Sequence, residues 1–156
     1  MAQACRCRRG AGGVTASQQT QAGLTMGGVL MVFLGGGLGA AARFGVTTAA
    51  LRLFGPALPW GTLTVNVIGS LAMGVLWAAV SAHLDALPAQ VRLFVATGFL
   101  GGFTTFSAFS LDAFLLWERG DSGLAAAYVV ASVVLSIAAL AAGFALARAA
   151  MLSWLV

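Results

Sequence analysis

The sequence predicts an all-α membrane domain of four transmembrane helices, the third of them broken. Three observations carry this. The chain is 60% hydrophobic and 8% charged, whereas a soluble domain carries roughly 25% charged residues. Four apolar segments reach the ~20 residues needed to cross a bilayer. Short stretches of proline, glycine and charge divide them. Lysine is absent; the eight basic residues are all arginines, set against four acids, for a net charge of +4. These arginines stand singly between apolar runs and form no basic face, which argues against a nucleic-acid partner. The only cluster is Arg6, Arg8 and Arg9, near the N-terminus.

The first span is expected from about Gly27 to Leu51 and the second from Trp60 to His83. Gly55-Pro56 and Pro59 separate them. The third runs from Val91 to Trp117, after Asp85 and Pro88, and the fourth from Gly123 to Ala147, after Glu118-Arg119-Gly120-Asp121. Trp60, Trp117 and Trp154 fall near span ends, where amphipathic rings favour the interface. Residues 1–25 read as a disordered polar tail rich in Gly, Gln, Thr and Ala, ahead of a four-helix transmembrane domain over 26–156. No cleavable signal is expected, because the first apolar run is long and continues into a full bundle. Met26 is an alternative start to Met1. Cys5 and Cys7 form a Cys-x-Cys pair, but no further Cys and no nearby His completes a metal site, so an idle tail is the expected reading.

The flanking charges bear on orientation. With a start at Met26, the side holding both termini has Arg92 and Arg148, and the opposite side has Arg52 and Arg119. Two against two is no bias. Such a chain can insert either way round, and copies of opposite orientation can pair. With the tail, Arg6, Arg8 and Arg9 make the count five to two and favour cytoplasmic termini.

Polar residues inside spans are costly and need a reason. Thr62, Asn66 and Ser70 recur at i, i+4, i+8 and share one face of the second helix. Tyr128, Ser132 and Ser136 do the same on the fourth. For a single serine, interhelical glue worth about 0.6–2 kcal/mol is the expected role. Two full stripes, one containing Asn66, are read as a polar pathway. The third helix clusters Gly98, Gly101 and Gly102 at mid-membrane depth, followed by Thr104 and Thr105. Each glycine disfavours helix by about 1 kcal/mol relative to alanine, so a break is expected where freed backbone is buried or lines a cavity. Freed carbonyls there suit a hard cation such as Na⁺. Gly98 and Gly102 also make a Gly-x-x-x-Gly packing pattern, and both roles are compatible. Phe106 and Phe109, at i, i+3, can turn positive ring edges towards an anion.

Asp112 is the only acid within a span and Arg43 the only base well inside one. A proton-coupled pump needs buried titratable groups, so this pattern argues for passive conduction of a small anion by neutral donors. No nucleophile, base and orienting group converge, which argues against an enzyme.

Three linked stretches carry a family resemblance: Gly36-Gly-Leu-Gly-Ala-Ala-Ala-Arg43, Gly61-Thr-Leu-Thr-Val-Asn66-Val-Ile-Gly69-Ser70, and Gly98-Phe-Leu-Gly-Gly-Phe-Thr-Thr-Phe-Ser-Ala-Phe109. In order and spacing they resemble the CrcB/Fluc family of fluoride channels, over about Gly28 to Arg148. The resemblance implies a dual-topology homodimer of antiparallel subunits with two fluoride pores, multi-pass in the inner (plasma) membrane, exporting fluoride passively. By the same resemblance Asn66 donates to fluoride, and Phe106 and Phe109 line the pore. Gly101 and Thr104 give backbone carbonyls to a central structural Na⁺, Arg43 sits near the vestibule, and Tyr128, Ser132 and Ser136 form a polar track. Thr62 and Ser107 are expected supporting hydroxyls. Three departures bear on rate and positioning: Ala108 for the usual Thr, Asp112 for Glu, and Leu71 for a frequent Phe. The alternatives are a small multidrug-type exporter, which needs an acid in the first helix that this sequence lacks, and a non-conducting membrane scaffold held by Gly-x-x-x-Gly packing.

Overall fold

A computed structural model describes residues 25–82 and 88–153, with the side chain of Ala82 excepted. The predicted tail up to residue 24, with Cys5 and Cys7, lies outside the described residues, as do His83, Asp85 and Trp154. Among the described residues, four helical segments are long and apolar enough to cross a membrane. Helix α1 is Met26–Phe54 and α2 is Trp60–Ala82. The third segment comprises α3 (Ala89–Arg92), a wide π-helical stretch (Leu93–Leu100), the single turn α4 (Gly101–Phe103) and α5 (Phe106–Glu118). The fourth is α6, Ser122–Ser153.

Local chemistry fixes the ends. Thr25 caps α1, its hydroxyl accepting from the Gly28 N–H at 3.1 Å; this last residue of the predicted tail is thus part of the helical domain. Gly55 ends α1 with φ +73° just before Pro56, and Gly120 makes the α5–α6 turn with φ +88°. Helices α1 and α6 run past their expected ends, to Phe54 and Ser153. No glycine or proline stops them sooner. Arg52 lies exposed on the last turn of α1, and Arg148 lies exposed short of the last turn of α6; long cationic side chains near helix ends reach the interface.

The bundle is two close-packed pairs. Helix α1 packs on residues 89–103, and α2 packs on α6. Both contacts are main chain on main chain, made possible by glycine. Gly39 faces the Phe99 carbonyl and Gly35 the Phe94 carbonyl; Gly102 faces the Gly36 carbonyl. On the other pair, Gly74 meets the Leu140 carbonyl and Gly143 the Leu71 carbonyl. Close backbone approach of this kind is how helices associate where lipid removes the usual hydrophobic drive. A smaller core joins α5 to α6 through Phe109, Leu116, Ala125 and Tyr128. Many large apolar side chains, Phe33, Phe44, Ile137 and Leu146 among them, point outward, as suits a surface solvated by lipid tails.

The glycine-rich stretch differs from its expected role. Gly98, Gly101 and Gly102 all remain helical; Gly98 and Gly102 serve the seam with α1. The chain leaves the helix later, at Thr104 (ψ 157°) and Thr105 (φ −153°, ψ 120°). Thr105 is the better place to restart, because its hydroxyl caps α5 by accepting from the Ala108 N–H at 3.2 Å.

Substitution Gly102→Val tests the seam. A Cβ there lies 2.5 Å from the Gly36 carbonyl oxygen, so the variant should lose about 1–3 kcal/mol of stability by overpacking and melt at lower temperature in detergent. Gly37→Ala, with nothing within 4 Å of the added carbon, should melt as the parent. Equal melting of both variants would contradict the seam.

Candidate functional site

The break is held by one side chain. The Asn66 carboxamide pairs with the main chain of Thr105 in both directions. Its Nδ2–H donates to the Thr105 carbonyl at 3.0 Å, and its Oδ1 accepts the Thr105 N–H at 2.8 Å. An amide paired this way imitates a neighbouring peptide, which is what an extended residue at membrane depth needs. Gly69, one turn below, leaves room for the Thr104 methyl, where any Cβ would overlap it. The Thr104 hydroxyl folds back on the Leu100 carbonyl at 2.9 Å.

This pairing has a direct consequence for the carbonyls around it. In an unbroken helix the Gly101 carbonyl would accept the Thr105 N–H, which here goes to Asn66. The Thr104 carbonyl would accept the Ala108 N–H, which here goes to the Thr105 hydroxyl. Both carbonyls predicted as cation ligands therefore lose their helical donors, and Gly101 lies on the exposed side of the chain. Neutral oxygen donors of this kind fit a hard cation of low charge. Among the described residues no cluster of three or more His, Cys, Asp or Glu offers a competing metal site.

Beside the break lies a groove of about 340 Å³, lined by Asn66, Ser70, Thr104, Thr105, Phe106, Phe109, Ser132 and Ser136 together with Gly69 and Met73 and apolar residues of α6. No charged residue lines it. Asn66 uses one of its two N–H donors on Thr105, leaving the second for a guest. The Phe106 and Phe109 rings sit 5.5 Å apart, tilted by 46°. Phe109 is buried and leans on Tyr128 at 5.6 Å, whereas Phe106 is 78% exposed.

The polar line continues from this groove along α6. The Ser132 and Tyr128 hydroxyls are buried, at 4% and 5% residue exposure, and neither finds a hydrogen-bond partner. Such orphaned groups cost about 1–3 kcal/mol each if they stay unpaired. At the far end Thr62 donates to Asp112 at 2.6 Å. Asp112, although one methylene shorter than glutamate, thus reaches its partner. It lines the two clefts beside the α1–α2 loop.

Of the sequence-predicted residues, the structure brings Asn66, Phe106, Phe109, Ser132 and Ser136 to one groove and sets Tyr128 against Phe109. Thr62 lies at the Asp112 end. Ser107 is exposed, its hydroxyl 3.3 Å from that of Thr105, and does not line the groove. Arg43 is half-buried on α1 and does not line the groove, and its carbonyl accepts from Thr47 at 2.9 Å. Sequence reasoning missed Thr105 as the pivot; the signal for it was a threonine immediately before the apolar helical run that starts at Phe106, a helix-start pattern.

Together these features define a multi-pass helical membrane protein with a neutral hydrogen-bonding groove beside a secured helix break. More narrowly, the chain belongs to the CrcB family, matching the model for "CrcB-like protein, Camphor Resistance (CrcB)" over residues 30–144. Its relatives include proteins named fluoride-specific ion channel FluC. That of Cereibacter sphaeroides is 58% identical over 120 residues, covering 77% of this chain and 94% of the relative. Those of Rhodopseudomonas palustris and Agrobacterium fabrum are 57% and 52% identical over 120 residues, covering 77% of this chain and 96% and 95% of their own lengths.

Removing the Asn66 side chain tests its grip on the break. In Asn66→Ala the Thr105 N–H and carbonyl lose their partners, a cost of about 1–3 kcal/mol. Hydrogen exchange at the Thr105 amide should speed up by one to two orders of magnitude, and unchanged exchange would mean that the pair is not formed.

Proposed function

We propose that this protein is a fluoride-specific channel that lowers cytoplasmic fluoride by passive export across the inner (plasma) membrane. The observation that carries the reading is the uncharged groove in which the free Asn66 N–H, the Ser132 and Ser136 hydroxyls and the Phe106–Phe109 pair converge. Fluoride is small and strongly hydrated, so several donors must replace its water at once. A fixed cation at the centre would bind it too firmly to release it, while neutral donors in series hold it weakly at more than one place. Ring edges add positive potential without charge. The names and high identity of the relatives support the same ion.

The working unit in this reading is an antiparallel homodimer of dual topology. With a start at Met26, the even Arg52/Arg119 and Arg92/Arg148 balance supports insertion both ways. Phe106, 78% exposed on one chain, and a groove open along one side leave room for a second copy to complete the wall. The Gly101 and Thr104 carbonyls of one chain are too few for a full shell, and two copies meeting at the break would double them around a structural Na⁺. That ion supplies charge and fixed geometry where two breaks meet, and is not transported. A scaffold held by an intermolecular Gly-x-x-x-Gly contact is disfavoured, because Gly98 and Gly102 are spent on α1 within the chain.

Liposomes holding the purified protein should release fluoride rapidly and chloride far more slowly, without a proton gradient. Asn66→Asp should cut fluoride flux at least 100-fold, since a carboxylate replaces the free donor with a negative acceptor. Parent-like flux in that variant would remove Asn66 from the path. Replacing Na⁺ by a large organic cation during purification should lower dimer stability and flux together; a stable, fully active dimer without Na⁺ would refute the cation site.

A further inference from the structure

Asp112 poses a problem for an anion path. Its carboxylate stands at the junction of the two clefts beside the α1–α2 loop, at the end of the line of hydroxyls leading to the groove. A bare negative charge there repels the ion that the path carries. Thr62 donates one hydrogen bond to it, which spreads the charge without cancelling it. From α6 it faces Tyr128, and the α1–α2 loop contributes only apolar and glycine residues.

One cation shares this cleft. Arg119, at the C-terminal cap of α5, lines the same cleft of about 200 Å³ as Asp112. The two lie seven residues apart (119 − 112), about two helical turns, and so project from the same side. Glu118, Asp121 and Arg52 belong to the same end of the chain, but none lines either cleft. The α2 N-terminus, Trp60, Gly61 and Thr62, opens into the adjoining cleft with no acid in its first turn, adding the positive end of a helix dipole.

We propose that Arg119 is the entry cation of the path: it offsets Asp112 at the mouth and concentrates the permeating anion there. This rests on the fluoride-channel reading above. Arg119 is exposed, so it can draw anions from solution and release them inward without the trapping that a buried cation would cause. Its role is positional, acting on the ion before the groove and not within it. Attraction of this kind works over a Debye length, roughly 10 Å at 0.1 M salt and 3 Å at 1 M, and can change encounter rates by about tenfold or more.

The test is fluoride efflux from liposomes as a function of inert-salt concentration. Arg119→Gln should slow efflux about threefold to tenfold at 10 mM ionic strength and hardly at all near 1 M, where screening removes the attraction. With efflux counted per assembled dimer, so that any change in insertion is factored out, adding Asp112→Asn to that variant should restore most of the loss, and Arg52→Gln, outside the cleft, should leave efflux unchanged. A salt-independent loss in Arg119→Gln would point to a structural role at the α5 cap and overturn the proposal, as would no loss at low salt. Absence of fluoride efflux from the parent protein would instead count against the channel reading itself.

Discussion

The pairing of Asn66 with the Thr105 main chain is the contact on which the rest of the site depends. An extended peptide in the middle of a membrane span leaves donors and acceptors that lipid cannot satisfy, each costing several kcal/mol. Asn66 satisfies two of them with one planar amide. In doing so it diverts the Thr105 N–H from the Gly101 carbonyl, while the Thr105 cap diverts the Ala108 N–H from the Thr104 carbonyl. The Asn66 pair thus stabilises the break, frees the Gly101 carbonyl and leaves one Asn66 N–H unused in a residue that lines the groove, while the Thr105 cap frees the Thr104 carbonyl.

The glycine seams make that arrangement rigid. Residues 89–103 lie main chain to main chain against α1, and α2, which carries Asn66, lies in the same way against α6, which carries Ser132 and Ser136. One side of the groove, α2 and α6, is itself a locked pair, and the Asn66–Thr105 contact ties to it the chain that leaves the other pair at the break. Little of this can relax. A methyl group added at Gly39, Gly74 or Gly143 would meet a carbonyl oxygen and not a movable side chain. The apolar exterior contributes comparatively little, since a bilayer solvates Phe33 or Leu146 about as well as a protein interior does.

Much of this architecture is legible in the sequence. Run length alone gives the four spans, because a 20-residue apolar stretch has few other uses. Helical periodicity aligns Thr62 with Asn66 and Ser132 with Ser136. The break itself is legible from the glycine density, but its position is not: glycine marks both weak helix and close packing, and here Gly98 and Gly102 are used for packing while Thr105 takes the break. The Thr62–Asp112 bond joins residues 50 apart, and the Asn66–Thr105 pair spans 39. No local pattern specifies such contacts, since they depend on how separate helices are rotated against one another. For the same reason Ser107, next in sequence to the groove-lining Phe106, does not itself line the groove, while the buried Tyr128 and Ser132 hydroxyls could be placed on a common face but not known to lack partners.

Asn66 is the only asparagine in the chain, so a side-chain ¹⁵N label on asparagine reports one site. Solid-state NMR of the labelled protein in lipid, titrated with fluoride and then with chloride, observes the central contact directly. The expected result is a saturable, fluoride-specific shift of one Asn66 Nδ2–H proton, while the other, bound to the Thr105 carbonyl, stays where it is. If both protons ignore fluoride in a protein that conducts it, or both move together, Asn66 does not hold the break while serving the ion, and the path lies elsewhere in the bundle.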